Sequence, residues 1–229
     1  MYSFCRLFLT FIIYSIMGYI AEQIYLTIDE KRLVLNRGYL IGPWCPVYGV
    51  SCICMYPLIK YYSDPIVVYL LGAFGITTIE YLTSVVMEKI FHTRWWDYYK
   101  EPFNINGRVC LKNSVLFGFC AMAVVYILSG FYKNLLNYIP KNILIIGTLI
   151  IMILFIIDTI LSTKIIYKIQ KNSQLVTKDM TETIKKKVRK ELENGYIFNK
   201  RVLDSFPHIY DNFRERARKL KVINFRKKK

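Results

Sequence analysis

Hydrophobic residues gather into five long blocks separated by short polar stretches. The blocks run over residues 4–26, 40–61, 65–91, 114–137 and 142–166. A hydrocarbon layer of ~30 Å asks for about 20 apolar residues at a rise of ~1.5 Å each, so each block reads as a membrane-spanning helix. Between them lie a charged loop at 27–38, a tight turn at 62–64, a long polar and aromatic loop at 92–113, and a short connection at 138–141. The expected fold is therefore all-α: a polytopic transmembrane bundle of about five spans over 1–166, followed by a basic helical tail over 167–229. The first block begins at Phe4, lacks a compact basic region and shows no small-residue cleavage site, so it reads as a span rather than a removed leader. Tyr61, Tyr62, Trp95 and Trp96 fall at block edges, where interfacial aromatic belts sit.

Charge then orients the bundle. The 229 residues carry a formal net charge of +16 although 54% of them are hydrophobic. From Lys164 onward there are 20 Lys and Arg against 7 Asp and Glu, a net of +13, which leaves +3 for the apolar part. Lys31, Arg32 and Arg37 lie in the first loop, and Arg94, Lys100, Arg108 and Lys112 in the long one; the other side offers Arg6, Lys60, Lys133 and Lys141. The positive-inside rule predicts an external N-terminus, with the two charged loops and the tail in the cytosol. In the tail, Val176, Met180, Ile184, Val188 and Leu192 recur every four residues and Lys185–Lys190 crowd the polar side, as in an amphipathic helix ended by Asn194-Gly195. Anionic lipid or a partner protein suits that tail. Nucleic acid does not, because stacking aromatics on a separate folded domain are lacking.

Polar groups inside the blocks carry the candidate chemistry, since an ionisable residue at membrane depth costs about 2.5–3.5 kcal/mol on insertion scales. Thr77, Glu80, Ser84 and Glu88 are spaced by three and four and share one helical stripe. Glu80 is expected ~16 Å from the end of its helix, near the midplane. Glu22 and Gln23 close the first block, and Asp158 and Ser162 lie four apart in the fifth. Each of these acids alone suits snorkelling or pairing with an interfacial arginine; a shared site is the alternative. The second block opens Asn36-Arg37-Gly38-Tyr39-Leu40-Ile41-Gly42-Pro43-Trp44-Cys45-Pro46-Val47-Tyr48-Gly49. Its prolines and glycines suit either an unwound segment, whose free amides meet an anion, or a plain helix start. The loop Arg94-Trp95-Trp96-Asp97-Tyr98 and Asn104-Ile105-Asn106-Gly107-Arg108 combines an aromatic anchor with groups able to hold an anion or move a proton. Candidate substrate-binding residues are thus Glu22, Asn36, Arg37, Tyr48, Glu80, Glu88, Asp97, Asn104 and Arg108. His92 and His208 are isolated, and the six cysteines show no CxxC or zinc spacing, so neither a metal nor a cofactor is expected.

Four stretches together, GYIAEQIY at 18–25, NRGYLIGPWCPVYG at 36–49, IEYLTSVVMEKIF at 79–91 and RWWDYYKEPFNINGRVCLKNSVLFG at 94–118, resemble a bacterial membrane family of type IV ABC-transporter proteins, also described as ABC transporter permeases. The resemblance covers roughly residues 4–140. Tyr39, Val47, Tyr99 and Phe117 stand where typical members have Phe, Ile, Ser and Trp, and the change at Tyr99 removes support for a hydroxyl nucleophile there. The family implies transport across a bacterial inner membrane. No GxxxxGK[ST] loop occurs in this sequence, so an ATPase subunit would come from another polypeptide, and so small a unit would favour a homodimer. Two other functions fit the same residues. One is an enzyme at the cytosolic leaflet acting on a lipid-linked or phosphorylated substrate, with Glu22, Glu88 or Asp97 as base and Arg37 and Arg108 as anion holders. The other is a scaffold whose basic tail recruits partners.

Overall fold

The computed structural model describes residues 2–29, 31, 38–92 and 94–178. Asn36, Arg37 and the tail from 179 onward lie outside these described residues. Six α-helices and one small hairpin follow in order: α1 Tyr2–Asp29, α2 Pro46–Ile59, α3 Pro65–Phe91, β1 Asn104–Ile105, β2 Val109–Cys110, α4 Leu111–Ala123, a π-helical turn Val124–Leu128, α5 Ser129–Tyr138 and α6 Lys141–Lys178. Among the described residues, four stretches are long and apolar enough to cross a membrane: Tyr2–Ile28, Pro65–Phe91, Leu111–Tyr138 and Lys141–Lys168. Isoleucines and leucines cover the outward face of α6, including Ile143, Leu149, Ile150, Leu154, Ile157 and Leu161, while Leu144, Thr148, Asp158, Ser162 and Ile166 on the opposite face are buried against the bundle.

Local chemistry sets the helix ends. Asp64 caps α3 by accepting a bond from the Ile66 amide at 2.8 Å, and Pro65 occupies the first turn, where its missing N–H is not needed. At the far end His92 adopts a left-handed conformation (φ 54°) and turns the chain out of α3. Ile139 is extended before Pro140, which separates α5 from α6. The fourth apolar block is one continuous run in which the Ser129 amide reaches back five residues to the Val124 carbonyl, which makes the π-turn.

The second block departs from a regular span. Residues 38–45 are irregular, and helix starts only at Pro46. Fourteen residues at ~1.5 Å give a helix of only about 21 Å. Of the two readings of this block, unwound or plainly helical, the unwound one is found. Gly38, Gly42 and the two prolines weaken helix here, and Asp158 of α6 supplies the missing partners (below).

Helices meet through small residues, as is usual where lipid and side chain are equally apolar. A Cβ added to Gly72 of α3 would stand 2.1 Å from Cβ of Ala121 on α4, and one on Gly18 of α1 would stand 2.2 Å from the ring of Tyr48 on α2. Contacts also sort the loops into two ends. At one end Tyr132 donates to the Arg6 carbonyl, Lys141 lies over the Tyr2 ring and Tyr126 reaches the Ser63 carbonyl. At the other, Tyr39, Phe91, Trp95 and Tyr167 pack in T-shaped and tilted ring contacts, and the hairpin β1–β2 closes the bundle.

Candidate functional site

The hairpin end holds the polar residues, and the hairpin is built by its own sequence. Asn106 (φ 54°) and Gly107 (φ 67°) are both left-handed, and the Arg108 amide bonds the Ile105 carbonyl at 3.0 Å. This is the Asn-Gly turn whose twist suits two antiparallel strands. Asn104 donates to the Tyr99 and Glu101 carbonyls and accepts from the Gly107 amide; exposed Asp97 accepts from the Tyr99 amide. Both candidates thus brace the loop. Trp96 closes it by donating to the Arg108 carbonyl at 2.9 Å.

This loop folds back onto the polar stripe of α3. Arg108 donates to Ser84 at 3.1 Å and to Glu88 at 2.6 Å, with its guanidinium over the Tyr81 ring. Arg94 lies 3.4 Å from the same carboxylate and donates to the Asn106 carbonyl. Asn106 reaches the Tyr81 hydroxyl, Tyr98 donates to Glu80 at 3.3 Å, and Thr77 donates to Ser114 of α4 at 2.9 Å. Every polar residue of the predicted stripe therefore finds a partner, and Arg108 pins hairpin to helix in two-point contact.

A second group lies deeper. The Cys45 thiol hydrogen-bonds to Glu22, which sits within electrostatic reach of Tyr48, Glu80 and Tyr98. Glu80 is 93% buried, and its Oε2 finds no hydrogen-bond partner among the described residues. Burial, then the charges of Glu80 and Glu22, hold the Tyr98 phenol well above its ordinary range, so it keeps its proton and donates a hydrogen bond to Glu80. Four separate pieces of chain meet here: the end of α1, the start of α2, the middle of α3 and the hairpin loop. No group of three or more His, Cys, Asp or Glu among the described residues is arranged to hold a metal ion.

The third polar position is a strut. Asp158 of α6, buried, accepts from the Ile41 amide at 2.9 Å, the Gly42 amide at 2.8 Å, the Trp44 indole at 2.6 Å and Ser162 at 3.0 Å. Unwound amides and acid satisfy each other, and the Trp44 ring packs edge-on against Phe155. Of the candidates, the structure brings Glu22, Tyr48 and Glu80 together, pairs Glu88 with Arg108, and gives Asp97 and Asn104 to the loop's own folding. Cys45 and Tyr98 were missed. Their signal was proximity in sequence to Tyr48 and Asp97, but nothing in spacing aims them at an acid on another helix.

A family model described as "Putative ABC-transporter type IV" matches residues 9–163. The chain belongs to this family. No curated protein and no solved structure matches it. The stretch that matches this ABC-transporter family runs from α1 into α6 and contains every residue of both polar groups and of the Asp158 strut. With four apolar helices of spanning length, it makes the chain a membrane protein of a transporter family.

Proposed function

We propose that the chain is a permease-like subunit that moves a solute past the Glu22–Glu80–Tyr48–Tyr98 group. The observation that carries this reading is the meeting of two carboxylates, on α1 and α3, beside an unwound segment within the bundle. Broken helices and intramembrane acids are the parts from which solute sites in transporters are made. Arg108 weighs against the leaflet enzyme, because this one of the two cations named for its anionic substrate is already committed to Glu88 and Ser84. The remaining parts of the reading follow from the family and from charge: a bacterial inner membrane, and an ATPase from another polypeptide docked at the hairpin end. The basic tail lies on anionic lipid at the cytosolic face, and a homodimer completes the small unit.

Cells lacking the gene, complemented with the wild-type chain or with Glu80→Gln, test the proposal through untargeted profiles of internal and external small molecules. The expected result is that Glu80→Gln reproduces the deletion profile while the protein reaches the membrane in normal amount. A wild-type profile for Glu80→Gln, with purified protein converting a lipid extract unaided, would overturn it.

A further inference from the structure

The segment 94–110 leaves the end of α3 and turns back along it. Tyr98 bonds Glu80, Asn106 bonds Tyr81, and Arg108 bonds Ser84 and Glu88. Glu80 lies about 16 Å short of Phe91 at ~1.5 Å per residue, so the segment sits beside the last turns of α3 rather than beyond them. Over those same turns α3 exposes Leu82, Val86 and Ile90, and α1 exposes Ile24 and Ile28 near its own end. A helix whose outward face stays apolar to its last turn is covered by lipid that far. The segment therefore shares the depth of that leaflet.

Irregular chain survives at such a depth only where its polar backbone is matched without water. This segment supplies many of its own partners. The amides of Tyr98, Glu101 and Arg108 bond the carbonyls of Gly107, Tyr98 and Ile105. Asp97 takes the Tyr99 amide, and Asn104 takes the Gly107 amide while donating to the Tyr99 and Glu101 carbonyls. Trp96 covers the Arg108 carbonyl and Arg94 that of Asn106. Outward the segment presents Tyr99, Phe103 and Ile105, which are 64%, 81% and 59% exposed. Phe103 also has φ 51°, a left-handed conformation that suits Gly, Asn or Asp and penalises a bulky side chain. In water an aromatic ring held out at that backbone cost gains nothing; among acyl chains it gains contact. Lys100, exposed beside Tyr99, has a stem long enough to carry its ammonium to lipid phosphates.

We infer that segment 98–105 is a re-entrant element that binds the phospholipid leaflet, with Phe103 and Ile105 among the acyl chains and Lys100 at the phosphates. The loop that the sequence places in the cytosol is then part of the membrane domain, and a partner protein docks on the helix ends beyond it. This goes beyond the transport reading and does not depend on it.

The test uses the full-length chain in phospholipid nanodiscs, its natural cysteines replaced, with a fluorophore on Phe103→Cys or Ile105→Cys. Phe74→Cys, at an exposed position in the middle of α3, and Ser63→Cys, in the turn before α3, are the references. Nitroxides on the acyl chains should quench both hairpin labels to within about twofold of Phe74→Cys, since all three would lie in the hydrocarbon layer. Aqueous iodide should quench them far less than Ser63→Cys. Strong iodide quenching in nanodiscs would overturn the inference, and its loss in native membranes would assign the surface to a partner protein instead. Shielding from iodide without acyl-chain quenching would mean that another part of the chain covers the loop, and would overturn it as well. A second measurement keeps the natural cysteines. In lipid, Phe103→Asp should speed hydrogen exchange at the Tyr98 and Arg108 amides about tenfold or more, because a carboxylate is expelled from the acyl layer. In water the same change eases the left-handed backbone, so unchanged or slower exchange would contradict the inference.

Discussion

Asp158 and Arg108 carry opposite charges yet do the same kind of work: each ties an irregular stretch of chain to a helix. Asp158→Asn keeps the shape but offers one carbonyl oxygen in place of two charged ones, so it leaves at least one of the Ile41 and Gly42 amides poorly matched. A loss of about 1–3 kcal/mol is expected, read as a lower melting temperature in detergent together with faster hydrogen exchange at those two amides. Arg108→Ala leaves Glu88 with Arg94 alone and strips Ser84 of its donor, for a loss of about 1.5–3 kcal/mol. Arg108→Lys should recover only part of it, because an ammonium cannot reproduce the two-point contact; limited proteolysis of the hairpin distinguishes the three chains. That these charges needed partners could be read in the sequence from their depth. Which partners they take could not, since Asp158 meets residues 114 to 117 positions away.

The elements show what periodicity reaches and where it stops. α3 runs from Pro65 to Phe91, as the apolar block predicts, and the Asp64 cap found in the structure agrees with that hydrophobic length. The second block is apolar enough to be a span, but backbone chemistry overrides hydropathy across Gly38–Pro46, and a short helix remains. Its glycines and prolines made the break visible without saying whether the chain stays helical. The hairpin was readable in principle from Asn106-Gly107 between Ile105 and Val109, yet strands of two residues give almost no alternation to detect. Gly107→Ala should loosen it. The residue would hold a left-handed conformation at a cost of about 1–2 kcal/mol, and its Cβ would stand 2.5 Å from the Tyr99 ring and 2.7 Å from Asp97. Proteolysis between Lys100 and Arg108 should accelerate while α3 remains intact, measured by mass spectrometry of the fragments.

At the scale of the whole molecule, the alternation of loops between two ends follows from the count of apolar blocks. The second block breaks the pattern: the unwound residues 38–45 lead into a helix of 14 residues, shorter than the four stretches long and apolar enough to span. Charge asymmetry assigned the polar loops to one end, and the contacts of Tyr39, Phe91, Trp95 and Tyr167 gather them there. What no pattern along the chain contained is the meeting of α1 with α3 through Glu22, Glu80 and the hairpin's Tyr98, since it depends on how the helices are rotated about their axes. Thiol cross-linking in native membranes reads that rotation. In a chain whose natural cysteines are replaced, Glu22→Cys paired with Tyr98→Cys should be joined efficiently by a short bifunctional methanethiosulfonate, as should the control pair Ser84→Cys with Arg108→Cys. Efficient joining of the control pair with no joining of the first would place α1 away from the hairpin and contradict a shared polar site.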